Sequence, residues 1–421
     1  MLVFFWRDIL PFNEFFKVRT PDEILGLITD FQPLGSESVA LTQSLHRILA
    51  EDIVSPIDLP PFRRSTVDGF AVRAQDTFGT SESNPGLLIV AGEVVMGAAT
   101  DLTLSHGETV TVPTGGIVPQ GADAVLMVEF AEEVDKKTIQ VKRPVSPLEN
   151  VAEQGEDIGK GECILSRGHR IRPQDMGAMA AIGKSTPTVY RKPRVALVSS
   201  GDEIVDATEE PMAGQIRDVN HYSLGAQIET AGGIPIFLGI VPDSFEDLRG
   251  LCEQGLSKND MLIISGGSSV GAKDHTTTVI RSFSDGEIMA HGVSLRPGKP
   301  TIIGRAATKP IVGLPGHPVS AMIVFDLFMR PLIWRLAGYN GPAWPVGKRM
   351  TARLARNLSS LPGREDYIRV SLDEKDGQVT AHPILGKSGS ISTMVRADGL
   401  VKIGMDSEGL DEGTRVEVFL F

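Results

Sequence analysis

Cysteine is nearly absent: the 421 residues hold two, Cys163 and Cys252, far apart and in no CxxC pair. This excludes a Cys-rich zinc module and a disulfide-stapled secreted scaffold, and fits a reducing cytoplasm. No run of about 18 apolar residues occurs, which excludes a helical membrane span of ordinary length. Basic residues are outnumbered, 41 Lys and Arg against 53 Asp and Glu, for a net charge of −12. A general nucleic-acid or anionic-membrane binder is therefore not expected, since both use basic surfaces. A local basic pocket for a phosphorylated small molecule remains compatible with that balance. Low-complexity tracts and solenoid-period repeats are also missing.

What is present is a chain able to bury sizeable cores. Hydrophobic residues make up 41% and charged residues 22%, so wholesale disorder is excluded. The length suggests two to four domains, at roughly 100–200 residues each. Glycine is abundant, 45 residues, and clusters in loops after apolar runs, where backbones approach ligands. The opening MLVFFWRDIL does not read as a signal peptide. Arg7 and Asp8 interrupt the apolar run, no basic segment precedes it and no small-residue cleavage site follows. Residues 1–15 read as an N-terminal extension with aromatic anchors, or as a partner-docking segment.

Residues 20–50 read as helical. Thr20 is the N-cap candidate, Pro21 the first helical residue and Glu23 the partner in a capping box. A β-rich stretch follows, with strands in LLIVAGEVV, ETVTVP, DAVLMVE and TIQVKRPV. Then ECILSRGHRI reads as a strand and PQDMGAMAAIG as a short helix ending at Gly183. From Lys192 the pattern becomes strand–helix alternation: RVALVS, a helix over 220–231, IPIFLGI, a helix to about Leu256, MLIIS, and a helix after Asp274. This predicts βαβ units and a parallel-rich sheet covered on both faces, with ligands beyond the carboxyl ends of the strands. Glu203, Asp243 and Asp274 stand at three such ends. Beyond Gly338, short regularly spaced strands predict a small β-barrel or sandwich.

Five segments could carry chemistry. Asp58–Val72 contains Ser65-Thr66-Val67-Asp68-Gly69, a turn that presents a carboxylate. Pro113–Pro119 is a turn with available amides. Ile264–Asp274 places Gly and Ser between a strand and a helix, a cradle for phosphate. It matches neither GxxxxGK[ST] nor GxGxxG, so ordinary NTPase and dinucleotide readings fail. Ser294–Pro300 sets Arg296 and Lys299 around a Pro-Gly bend, and both cations suit phosphate. Gly313–Ala321 links the strand PIVGL to an apolar helix running through Trp334, with His317 between two prolines. Alone, Asp58–Val72, Pro113–Pro119 and the loop histidine His317 are more simply structural, whereas the length, hydroxyls and adjoining Asp of 264–274 and the paired cations of 294–300 favour a site. No HExxH, Ser-His-Asp constellation or His/Cys metal spacing is present.

Taken together and in order, SxxDGxAV, PTGxxVPxGADAVxMxE, GEDI, SSGDE, DxN, ISGGSSVGxxD, PGKP and GLPGxPVSA resemble the molybdopterin molybdenumtransferases, which are similar to the E domain of gephyrin. The resemblance runs from about Phe16 to Phe421. It implies a multidomain α/β plus β fold: a linker and dimerisation domain from 16–60 and 152–191, an inserted β-rich domain over 61–151, a pterin-binding three-layer α/β domain over 192–338, and a C-terminal small β-barrel over 339–421. It implies a cytoplasmic homodimer that takes adenylated molybdopterin and molybdate, uses a divalent cation such as Mg²⁺, and releases AMP. The molybdopterin adenylyltransferase and apo-molybdoenzymes are further partners; no nucleic acid or membrane is involved.

Residue by residue, the resemblance implies catalytic roles for Asp68, Thr114, Glu203, Asp243 and Asp274, the last three also as metal ligands. It implies substrate binding by Ser265, Gly266, Gly267, Ser268, Ser269, Arg296, Lys299, Pro315, Pro318, Ser320 and Ser390. Two positions depart: Gly292 and Arg296 stand where some members carry lysine, and Arg296 keeps the charge. The rival readings are a molybdopterin adenylyltransferase, a tungstate-inserting paralogue and a non-catalytic cofactor-binding scaffold.

Overall fold

The structure is a computed structural model and describes residues 18–266, 275–341 and 348–421. Residues 1–15, Gly267, Ser268, Ser269 and Asp274 lie outside the described residues.

A six-stranded sheet occupies the middle of the chain. Its order is Ile234–Val241, Arg194–Ser200, Met261–Ser265, Lys309–Leu314, Ile302–Ala306, Gly286–His291. The first four run parallel; the last two are antiparallel additions. Side-chain alternation along these strands builds two cores. Val195, Leu197, Met261, Ile263, Val312 and Leu314 face helix Asn220–Thr230 and the helical run from Pro318 to Leu336. Ala196, Val198, Leu262, Ile264 and Ile311 face helices Phe245–Lys258 and His275–Ser282. Every strand residue from Val195 to Ser200 is consequently buried, which is why this segment reads as a continuous apolar run.

The run from Pro318 is not uniform α-helix. Phe325–Met329 forms a π-helical turn, and it carries the buried Asp326, paired with Arg330.

The predicted helix over 20–50 is corrected to eight residues, Pro21–Ile28. The capping box forms as expected: the Glu23 amide donates to Thr20 Oγ1 at 3.2 Å, and the Thr20 amide to Glu23 Oε2 at 2.7 Å. The helix then ends because Pro33 and Gly35 follow. Ser36–Ser38 pairs instead with Thr188–Tyr190. The reading of ECILSRGHRI as one strand also shortens, to Cys163–Leu165.

Leu49 and Ile53 share a small core with Ile171, Met179, Ile182 and Val189, so two distant stretches form one packed unit. Between them sits a second six-stranded sheet, ordered Ala124–Met127, Gly69–Val72, Glu108–Val112, Gly86–Glu93, Thr138–Val141, Ala131–Asp135. Gly69 is required there: a Cβ would stand 2.0 Å from the Leu126 carbonyl oxygen of the neighbouring strand.

In the C-terminal region, Glu365–Lys375 pairs with both Gln378–Pro383 and Gly399–Ile403. Arg349–Leu354 and Arg415–Leu420 complete the circuit. Five strands thus close into a small barrel, which removes exposed edges.

Candidate active site

A cleft of about 1050 Å³ lies between the central α/β unit and the barrel. One wall is the bend Val293–Pro300 and the loop at Pro315 and His317. The other comes from residues 357–369 and 384–388 of the C-terminal region. Arg296, Lys299, Arg364, Arg369 and Lys387 all line it, and no carboxylate does, among the described residues. In a chain of net charge −12, this local inversion marks an anion site.

Local folding sets those cations. Leu295–Arg296 pairs in parallel with Glu365–Asp366, tying the bend to the barrel. Asp366, fully buried, lies beneath and takes a two-point contact from Arg364, 2.8 Å from Nε and 3.3 Å from Nη2. Arg296 Nη1 is 3.6 Å from the same carboxylate. Asp366 therefore orients two guanidiniums while its own charge is screened from the cleft. Arg369 donates to Thr393 Oγ1 at 2.7 Å and to the Gly386 carbonyl at 3.0 Å. Burial holds its guanidinium below the usual arginine range.

A second polar group sits at the carboxyl ends of the parallel strands, where open α/β sheets bind ligands. Asp243 Oδ1 accepts from Ser200 Oγ at 3.0 Å, and the Asp243 amide donates to Asp202 Oδ1 at 2.9 Å. The Glu203 carboxylate packs over Gly201, where a Cβ would come within 2.8 Å of it. Gly266 has φ +99°, and a Cβ there would stand 2.1 Å from the Ser200 carbonyl oxygen. Only glycine fits that close crossing. Asn220 bridges this group to the cleft loop, donating to Ser265 Oγ at 2.7 Å and to the Gly316 carbonyl at 2.8 Å. Asn220 Oδ1, Asp218 Oδ2 and Ser199 Oγ are buried here without a partner among the described residues. Such groups are expected where a ligand completes the hydrogen bonds.

Asp68 and Thr114 come together on the inserted sheet, the Thr114 amide donating to Asp68 Oδ1 at 2.7 Å. Both side chains are exposed, and neither lines the cleft. Arg296, Lys299, Pro315 and Ser320 do line it, while Pro318 opens the helix immediately behind. Ser390 does not; Ser388 takes the place expected of it. Gly292, with φ +96°, is likewise outside the lining.

Sequence reading missed Arg364, Arg369, Lys387 and Ser388, took His317 for an ordinary loop histidine, and gave no role to Asp218 and Asn220 of the DxN motif. Arg364 and Arg369 could have been flagged as cations inside the otherwise strand-like REDYIRV.

Among the described residues, no three His, Cys, Asp or Glu side chains gather into a protein metal cage. Mg²⁺ does not need one: it takes one or two carboxylates together with substrate phosphates and water. Asp202 and Asp243, linked through the Asp243 amide, and Glu203 of the same loop as Asp202 supply hard oxygen donors beyond the strand ends, and one or two of them fit that chemistry.

A parallel sheet with a polar strand-end group, joined to a cation-lined cleft beside a barrel, defines a multidomain α/β plus β protein with an electropositive candidate site. Three family models match: "MoeA N-terminal region (domain I and II)" over 19–183, "Probable molybdopterin binding domain" over 196–335 and "MoeA C-terminal region (domain IV)" over 351–421. The chain belongs to the molybdopterin molybdenumtransferase family, transferases of molybdenum cofactor biosynthesis. It is 32% identical over 412 residues to the molybdopterin molybdenumtransferase of Bacillus subtilis, covering 96% of this chain and 94% of the relative. It is 32% identical over 388 residues to molybdopterin molybdenumtransferase 2 of Mycobacterium tuberculosis H37Rv, covering 91% and 94%. The crystal structure of the molybdopterin biosynthesis moeA protein from Pyrococcus horikoshii OT3 superposes with a TM-score of 0.83 at 31% identity, covering 96% and 100%. These matches span all three regions, not the α/β unit alone, which favours this reading over a stand-alone adenylyltransferase.

Proposed function

We propose that the chain inserts molybdenum from molybdate into adenylated molybdopterin and releases AMP. The observation that carries this reading is the cleft lined by five cations and no carboxylate. Both proposed substrates are anionic, one a phosphoanhydride and the other an oxyanion, and Arg and Lys recognise such groups.

Water adds across the phosphoanhydride, so that AMP leaves and molybdopterin keeps its phosphate; molybdate gains two bonds to the dithiolene sulfurs and loses one oxo ligand, which departs as water with the two thiol protons. Arg296, Lys299 and Arg364 stabilise the charge that builds on the phosphate oxygens, and Arg369, held by Thr393 and Gly386, fixes the position of one oxygen. Ser265 and Gly266 shape the strand-end floor for the pterin side. Glu203 and Asp243, with Asp202, would hold Mg²⁺, and Asp274 is the further carboxylate that the family resemblance implies. A bound Mg²⁺ supplies charge neutralisation on the anhydride. Asp243 is oriented by the Ser200 hydroxyl, so it presents its other oxygen in a defined direction.

The Asp68–Thr114 turn stands on a separate sheet away from the cleft. That separation supports a homodimer in which a second copy brings its own turn to the site. The scarcity of cysteine supports a cytoplasmic location, and no helix among the described residues is long and apolar enough to cross a membrane.

The test mixes purified protein with adenylated molybdopterin, Mg²⁺ and molybdate, and measures AMP release and activation of an apo-molybdoenzyme. Molybdate-dependent AMP release with activation is the expected result. Tight binding without release would mark a scaffold, and preference for tungstate would mark the other metal. Asp68→Asn is expected to keep the fold and lose insertion; full activity in that variant would remove Asp68 from the mechanism.

A further inference from the structure

His317 stands in the cleft wall, between Gly316 and Pro318. Its Nδ1 shares a 2.9 Å hydrogen bond with Ser388 Oγ, and the Val319 amide donates to the Ser388 carbonyl at 3.1 Å. Two bonds thus clasp the central loop to the barrel at the mouth of the cleft. Nε2 has no protein partner among the described residues, and the imidazole is exposed. The charged groups lining the same cleft are Arg296, Lys299, Arg364, Arg369 and Lys387, with the Tyr367 hydroxyl tied to Glu365 beneath. Among the described lining residues His317 is the one histidine, the side-chain type whose charge ordinarily changes between pH 5 and 8.

We propose that His317 is a titratable anion contact of this cleft. Ser388 holds the ring in place through Nδ1, and Nε2 donates to an oxyanion seated on the arginines. The imidazolium offers a charge-assisted bond, whereas the neutral ring offers at most a weaker one. Oxyanion affinity then carries a proton: the anion draws one proton onto His317 as it binds, and affinity falls as pH rises through the imidazole range. Insertion would be slowed in alkaline conditions by weaker substrate capture, with the cleft geometry intact. This inference rests on the oxyanion-binding reading of the cleft given above.

Calorimetric titration of the full chain with sodium molybdate, from pH 5.5 to 8.5, tests it. The wild type is expected to bind roughly three- to tenfold more weakly at the upper end than at the lower. His317→Gln, which keeps a neutral donor, is expected to be nearly flat and to match the wild type at high pH. Ser388→Ala keeps the imidazole but releases its Nδ1, and is expected to retain the pH dependence with weaker binding throughout. Proton uptake, read in wild type near neutrality from buffers of different ionisation enthalpy, serves if a variant fails to fold. Uptake of a fraction of one proton per molybdate is expected. A pH profile of His317→Gln identical to that of the wild type, or binding without proton uptake, overturns the role of His317 while leaving the cleft as an oxyanion site. No molybdate binding at any pH overturns both, and that outcome is distinguished by the absence of any binding heat.

Discussion

Asn220 holds Ser265: the side-chain amide of the helix residue donates to the hydroxyl of the strand residue at 2.7 Å, and the same nitrogen reaches the Gly316 carbonyl at 2.8 Å. One buried amide therefore fixes the distance between the strand-end floor and the loop that walls the cleft.

Asn220→Asp should break that link, because a carboxylate cannot donate to the Gly316 carbonyl. Leaving buried acceptors facing each other costs about 1–3 kcal/mol. The expected outcome is a lower melting temperature and at least a tenfold loss of AMP release, checked by thermal denaturation and single-turnover assay. Unchanged values for both would show that the bridge is incidental.

Asp366 and Arg364 make a prediction of stability. Among the described residues, Arg364→Met leaves the fully buried Asp366 carboxylate with one cation, Arg296 at 3.6 Å. Removing one partner of a buried pair costs about 3–5 kcal/mol, so the barrel should melt several degrees earlier. Adding Asp366→Asn should recover part of the loss, which a double-mutant comparison of melting temperatures measures.

Asp175 predicts acid sensitivity. Burial opposes its ionisation, but hydrogen bonds from the Arg172 guanidinium, His169 Nε2 and the Arg172 amide prevail, and the carboxyl is pulled from 3.8 down to about 2. A depressed folded value stabilises fully above the unfolded value and is lost as pH falls towards about 2. Asp175→Asn should therefore be less stable than wild type at neutral pH by up to about 2 kcal/mol. That difference should shrink between pH 4 and pH 2, which denaturant titrations at several pH values can follow.

The two cysteines should behave differently. Cys163 is exposed, whereas Cys252 is buried in the core beside the sheet and its thiol is pushed up to about 12 by burial. One equivalent of a thiol reagent should react with the native protein within minutes, and the second only after unfolding. Rapid labelling of both in native conditions would contradict the packing of helix Phe245–Lys258.

Much of this molecule is legible along the chain. Thr20, Pro21 and Glu23 cap a helix through contacts three residues apart, so the signal is local. The strand from Val195 to Ser200 announces itself because burial on both faces leaves no polar alternation. Gly266 at its strand end and the Gly- and Pro-containing segments 294–300 and 313–318 are recognisable because close backbone approach and fixed φ demand those residue types. The end of the first helix was less legible. Ser36–Ser38 is polar and exposed, and becomes a strand only because Thr188–Tyr190, 150 residues away, supplies its hydrogen-bond partners.

The sequence by itself determined the order of the elements, the two faces of the central sheet and the family, since each depends on spacing or on residue types needed at fixed local positions. Only the tertiary structure decided which cations meet. Arg296 and Arg364 share one buried aspartate, and Arg369 and Lys387 complete the cleft with Lys299. Ser388 rather than Ser390 turns to His317. These partners stand up to about ninety residues apart in the chain, and only the docking of the barrel against the α/β unit brings their charges within reach of one ligand.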